Sequence, residues 1–298
     1  MKILLAIDSS EFSESVITEV AARPWPADSF IVVLTVVDLF ALTASVGYLE
    51  PFMKNENDAA RALVQSVAEK LAPHGIETVT QVVEGYPATS IVEQAKVWDA
   101  DFVFVGSHGH GGVARFFLGS IAKEVVRNAH CSVEIVRPVV ASKGKASGKR
   151  VVLATDGSAY SEAAARSVAQ RPWPKGTEFR IVSVVEQMIP TMDPSYASGE
   201  VIEQMLIQNR KQCEEAVGSA STILSGAGLA AGTSVLAGNA KCTIIDDAKE
   251  WNADLVVLGS HGRRGLTRVL LGSVSEAVAM NASCSVEVIR SPELLDKQ

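Results

Sequence analysis

Two short stretches combine residue types and spacing suited to holding a phosphorylated ligand. Gly106-Ser-His-Gly109 is followed by nine residues and then Gly119-Ser120, and the pattern recurs as Gly259-Ser-His-Gly262, nine residues, Gly272-Ser273. Glycines in such a turn let backbone N–H groups approach an anion that side chains would hold off, and turns of this kind often call on positive φ. Each stretch follows an apolar run, Asp101–Val105 or Asp254–Leu258, that reads as a buried strand. The first leads into Ile121–Val126, which reads as a helix, and a helix N-terminus favours negative charge. Ser120 and Ser273 stand at the helix start, where a hydroxyl can cap the helix or reach a phosphate oxygen. One copy would be a moderate signal; two in the same local context weigh strongly against chance.

The elements that must position these loops come from a duplication. Asp8 is matched by Asp156, and Arg23-Pro-Trp-Pro26 by Arg171-Pro-Trp-Pro174, both 148 residues further on. Gly106 is matched by Gly259, and Cys131-Ser-Val-Glu134 by Cys284-Ser-Val-Glu287, both 153 residues further on. In the first copy, periodicity predicts strands at 2–7, 30–36, 78–83, 101–105 and 132–136, with helices over about 10–22, 55–72 and 88–98. Ala59, Ala62, Leu63, Val67 and Leu71 form the apolar face expected for the second helix, and Gly85-Tyr-Pro87 turns into the third. The second copy repeats the programme, with a helix over about 199–224 and the turn Gly238-Asn-Ala240. Small, polar and basic residues at 139–149 read as a linker, which gives domains at 1–138 and 150–291.

Strands alternating with helices imply a mostly parallel sheet covered on both faces, with ligands outside the carboxyl ends of the strands. Asp8 and Asp156 end the first strands, Val36 and Val184 lie near the ends of the second, and the glycine loops follow the fourth. A carboxylate, an apolar wall and a phosphate cradle can thus face one ligand. Helix capping is the competing role for each aspartate, and the two roles can coexist. The valines carry little weight alone, because any parallel strand has valine there.

This combination closely resembles the universal stress protein family in its tandem two-domain form. Both glycine stretches match the Gly-x-x-Gly, nine residues, Gly-Ser/Thr pattern of the family's ATP-binding subgroup, and both openings, through Asp8-Ser-Ser and Asp156-Gly-Ser, match its first strand and turn. The resemblance covers essentially the whole chain apart from linker and tail. It implies two Rossmann-like α/β domains (adenine nucleotide alpha hydrolase-like), each a five-stranded parallel sheet with helices on both faces. Asp8 and Val36, or Asp156 and Val184, would hold adenine and ribose. Gly106, Gly109, Gly119 and Ser120, or Gly259, Gly262, Gly272 and Ser273, would hold the phosphates of ATP, with Mg2+ as a plausible companion and no carboxylate cage for it. Where some members carry proline two residues before the aspartate, this chain has Ala6 and Ala154, a position that acts by packing. The family also suggests pairing through the final strands, here 132–136 and 285–289, so that the halves form a pseudo-dimer; pairing of whole chains stays open.

Composition excludes other classes. The 298 residues are 47% hydrophobic and 20% charged, a globular balance with room for two cores. A net charge of −7 gives no general attraction to nucleic acid. Four cysteines without a CxxC pair suit neither a zinc site nor a disulfide framework, and read as small core residues in a reducing compartment. The stretch from Phe30 to Leu49 has membrane-spanning length, but Asp38 interrupts it, and its counterpart carries Pro190, Asp193 and Pro194. With no signal-peptide layout at the start, the expected location is cytoplasmic. His108 and His261 adjoin serines without a third triad partner, so contact with phosphate or solvent is expected rather than catalysis. His110 finds Arg263 as its counterpart, which breaks any metal pairing, and Arg115 and Arg268 read equally as solvated loop charges or as cations near terminal phosphates. No general base emerges. The expected role is a nucleotide-dependent regulatory or interaction module, with a slow ATPase and a nucleotide-free scaffold as the rivals.

Overall fold

A computed structural model of the chain describes residues 1–38, 49–109, 118–138, 148–186, 199–263 and 271–291, with side chains of 49–53 and 199 set aside. The first half runs β1 (Lys2–Ala6), α1 (Glu11–Ala22), β2 (Phe30–Asp38), α2 (Leu49–Leu71), β3 (Glu77–Gly85), α3 (Pro87–Val97), β4 (Phe102–Gly106), α4 (Ser120–Asn128) and β5 (Ser132–Val136). The second repeats it as β6 (Arg150–Ala154), α5 (Ala159–Gln170), β7 (Glu178–Val185), α6 (Gly199–Gly226), β8 (Ala231–Ala237), α7 (Ala240–Glu250), β9 (Leu255–Gly259), α8 (Ser273–Asn281) and β10 (Ser285–Ile289).

The strands form one sheet in the order β3-β2-β1-β4-β5-β10-β9-β6-β7-β8. Within each half all pairings are parallel; β5 and β10 meet antiparallel, with Glu134 opposite Glu287. Central strands such as β4 and β9 are apolar along nearly their whole length because helices cover both faces. Two apolar clusters, one per face, each run across both halves. Ala6 and Ala154 are both buried in one of them, consistent with a packing position.

The first part of the apparent membrane-length stretch is strand β2, and 39–48 lie outside the described residues. No described helix is long and apolar enough to cross a membrane. The buried face of α2 differs from expectation: Ala60, Val64, Val67 and Leu71 point inward, while Ala59 and Ala62 are exposed. Alanine suits either side of a helix, so it was a weak guide to the register that the branched residues set. Of the cysteines, Cys131 and Cys213 are buried as expected, but Cys284 is half-buried and Cys242 exposed.

The repeated Arg-Pro-Trp-Pro and Cys-Ser-Val-Glu motifs, mere markers of duplication in the sequence, meet at the seam. Arg171 donates two hydrogen bonds to Glu287, at 2.9 and 2.6 Å, while Arg23 reaches Glu134 at 2.8 Å and Glu287 at 3.5 Å. Both glutamates are fully buried. Burial pushes Glu134 up to about 8, against the pull of Arg23. Burial also acts on Glu287, but Arg171 foremost, then Arg23 and Glu134, together outweigh it and hold that carboxyl below its ordinary value. Glu19 and Lys149 extend the cluster on the Arg23 side. Farther along the seam, Arg137 donates to the Ala279 and Cys284 carbonyls, and Arg290 donates to those of Val126 and Ala129. Each half thus places a cation at the C-terminal end of a helix in the other, where the dipole is negative.

Candidate functional site

In each half the strand order reverses at the paired strands β1 and β4, or β6 and β9, with successive strands running off to either side, and a crevice opens at their carboxyl ends. Ala6 is level with Leu34 and with Val105, so Asp8, Val36 and Ser107 each stand two residues beyond one line. Leu153 is level with Ile181 and with Val257, so Asp156, Val184 and Ser260 each stand three residues beyond that line and are level with one another in turn. Parallel register is therefore what brings carboxylate, valine and glycine loop together. Val36 and Val184 are half-buried against the core, and Val184 lines the crevice.

The glycine loops are stapled at both ends. Ser107 N donates to Val136 O at 2.9 Å and Gly119 N to Ser107 O at 2.8 Å; Ser260 N and Gly272 N make the same bonds to Ile289 O and Ser260 O, at 2.9 and 2.8 Å. None of the six motif glycines has a left-handed φ, contrary to the expectation that the turn calls on one. Crowding explains them instead. A Cβ on Gly109 would lie 2.7 Å from Asp8 Oδ2, and one on Gly262 equally close to Asp156 Oδ2. A Cβ on Gly119 or Gly272 would come within 3.2 or 3.0 Å of the stapling carbonyl.

Neither aspartate is the helix cap. Ser10 and Ser158 hold that position, and the aspartates two residues earlier accept hydrogen bonds from the cap N–H groups, at 3.1 and 3.0 Å. Asp8 Oδ1 also accepts from the Ser13 hydroxyl at 2.8 Å, whereas Asp156 Oδ2 accepts from Arg263 N at 2.9 Å. Burial would raise the Asp156 pKa, but hydrogen bonds from Ser158 and the Arg263 N–H outweigh it and hold the carboxyl below its ordinary value. Ser120 and Ser273 are exposed first residues of α4 and α8, and the caps are Gly119 and Gly272, so neither serine takes the capping role left open for it.

His261 is buried, not solvated. Its ring lies 5.0 Å from that of Tyr160 and its Nδ1 is 3.1 Å from Ser260 Oγ, while Nε2 is buried without a partner among the described residues. His108 repeats this against Phe12 and Ser107, with Nε2 again unpartnered among the described residues. A buried ring nitrogen left this way in both halves suits a ligand acceptor in the loop. His110, Arg115 and Arg268 lie outside the described residues.

In the second half the crevice encloses about 500 Å3, within the range of small-molecule sites. Its floor is Ala154, Val182 and Leu258, and Gly259, Gly262, Gly272 and Ser273 line one wall. Sequence reasoning missed other polar liners, among them Glu186, Asn209, Gln212, Lys241 and Arg263. Arg263 donates through NH1 to Gln212 Oε1 at 2.6 Å and through Nε to the Asp156 carbonyl, so it bridges loop, aspartate and α6. Glu186 was findable, because Asp38 occupies the same place in the first repeat. Asn209 and Gln212 were not, since helix α6 offers many exposed polar residues at that spacing.

Comparison with known proteins agrees with this architecture. The universal stress protein family model matches residues 1–137 and again 148–290. A universal stress protein of Mycolicibacterium smegmatis is 26% identical over 303 residues, covering 97% of this chain and 96% of that protein. One from Synechocystis is 30% identical over 149 residues, spanning 46% of this chain and 97% of the relative. The crystal structure of a universal stress protein from Archaeoglobus fulgidus superposes with a TM-score of 0.65 at 20% identity, covering 97% of this chain and 96% of that one. With the family model matched in both halves, the chain belongs to the universal stress protein family and carries two of its domains in tandem.

Proposed function

We propose that the chain binds ATP in one or both halves and acts as a nucleotide-dependent regulatory or interaction module. One observation carries the reading: in each half an aspartate, a strand-end valine and a stapled glycine loop with a helix N-terminus behind it converge at the sheet's switch point. Asp8 and Val36, or Asp156 and Val184, would hold adenine and ribose. Gly106, Gly109, Gly119 and Ser120, or Gly259, Gly262, Gly272 and Ser273, would hold the phosphates, with Mg2+ accompanying them. The 500 Å3 crevice and the unpartnered His261 Nε2 fit such a ligand. Domain bounds at 1–138 and 150–291 around a linker at 139–149, a cytoplasmic location and pairing of whole chains complete the proposal; cell fractionation tests the location and sedimentation with and without nucleotide tests the pairing.

The deciding experiment denatures freshly purified protein and counts released nucleotide per chain. Two ATP per chain is the result expected if both loops work, and one indicates divergence of the halves. None, with no uptake of added ATP, overturns the reading in favour of a scaffold. Steady phosphate release at a dedicated ATPase's rate, lost in Gly109→Val or Gly262→Val, would make it an enzyme.

A further inference from the structure

A second cavity, of about 590 Å3, lies away from both glycine loops, at the amino-terminal ends of β2 and β3. Arg23, Trp25, Ser29 and His74 of the first half line it, with Trp173 and Lys175 of the second. No acidic residue does. Two atoms of its lining residues are buried without a hydrogen-bond partner among the described residues: Arg23 Nε and Ser29 Oγ. Arg23 is 5% exposed and Ser29 7%. Buried donors of this kind call for an acceptor.

The second half shows that the fold does not need these groups left unpaired. Thr177 stands where Ser29 does, and its hydroxyl is satisfied by donating to Pro174 O at 2.7 Å and accepting from Lys149 N at 3.3 Å. The turn itself closes alike in both halves, through Ser29 N to Pro26 O and Thr177 N to Pro174 O. Ala227 stands where His74 does. The first half therefore leaves unused two buried donors whose counterparts are satisfied in its duplicate, where Arg171 Nε donates to Ser167 O at 2.9 Å, and adds His74 beside them. Trp25 and Trp173 already donate their indole N–H groups to Val20 O and Val168 O, so they offer a ligand ring surface rather than hydrogen bonds.

We propose that this cavity binds a small organic carboxylate with a flat apolar body, its anionic end among Arg23, Ser29 and His74 and its body against Trp25 and Trp173. The chemistry is that of a charge-assisted acceptor for unused donors, beside aromatic walls. Because Arg23 also joins Glu134 and Glu287, occupancy would be felt at the seam between the halves.

The test is titration of the isotope-labelled full chain with benzoate, followed by the four indole N–H resonances. Saturable shifts of Trp25 and Trp173, with Trp98 and Trp251 unmoved, are expected, and benzyl alcohol should bind at least about tenfold more weakly for want of the charge. His74→Gln should weaken benzoate about fivefold. Ala27→Trp, at an exposed position on the cavity wall, should abolish binding while leaving nucleotide content unchanged. The proposal falls if no saturable shift occurs, or if benzyl alcohol or inorganic phosphate does as well as benzoate. It also falls if Trp98 or Trp251 responds instead, or if both variants bind as the parent does.

Discussion

In the first half the Asp8 carboxylate accepts, among the described residues, from Ser10 and Ser13 at the start of its own helix. In the second half the Asp156 carboxylate divides, with one oxygen on Ser158 of the helix start and the other on Arg263 of the glycine loop, whose side chain continues to Gln212. The glycine loops and their staples are nearly superposable in pattern, but among the described residues the helix starts are wired differently: Ser13 donates to Asp8 at 2.8 Å, while Ser161, in its place, donates to Ser158 O at 2.9 Å. The seam shows the same divergence: Glu287 receives both arginines, while Glu134 receives Arg23 alone among them. Duplication preserved the backbone geometry of each half and left side-chain wiring free to drift.

The largest effect expected from breaking this asymmetry is at Glu287. Glu287→Ala strips the partner of a buried arginine fork and should cost about 3–5 kcal/mol in chemical denaturation. A loss below about 1 kcal/mol would mean the seam is wet enough to screen Arg171. The motif glycines come next. A Cβ at position 259 would stand 2.6 Å from the Tyr160 backbone, whereas one at 106 meets only contacts of 3.2 Å and beyond. Gly259→Ala should therefore cost about 1–3 kcal/mol and Gly106→Ala distinctly less. Equal melting temperatures for the two variants would show that the halves pack alike there.

A subtler contrast is in pH. With its pKa raised to about 8, Glu134 keeps a proton in the folded protein that the unfolded chain releases in the ordinary carboxylate range. The folded state then binds more protons, so this group's contribution to stability falls as pH rises through that window. Glu134→Gln, which imitates the protonated form, should flatten the decline in melting temperature between about pH 5 and pH 8; an unchanged slope would place the proton elsewhere. The smallest effect is expected at Arg263, whose backbone bond to Asp156 survives truncation. On the proposed ATP-binding reading, Arg263→Ala should speed nucleotide release from the second half a few-fold in stopped-flow exchange, with any release from the first half unaltered.

Much of this was legible before any coordinates. Repeated spacing marked the duplication, apolar runs alternating with amphipathic segments marked a parallel sheet, and the glycines with Asp8 and Asp156 marked the crevices, because local periodicity and backbone approach are written in neighbouring residues. Legibility failed where distant groups had to meet. Glu134 and Arg23 are 111 residues apart, and nothing local says that a glutamate in an apolar strand will lie beneath that arginine. Arg263 and Gln212 likewise join only once α6 has packed over β7. Even Gly109, Gly262, Gly119 and Gly272 are crowded by an aspartate oxygen or a stapling carbonyl, and Gly259 by the Tyr160 backbone, rather than required by their own φ. The sequence by itself determined the two-fold plan, the elements and the positions of the loops. Only the tertiary structure decided which buried charges pair, which glycine can tolerate a methyl and how each aspartate is held, because desolvation and contact act between residues that chain order keeps apart.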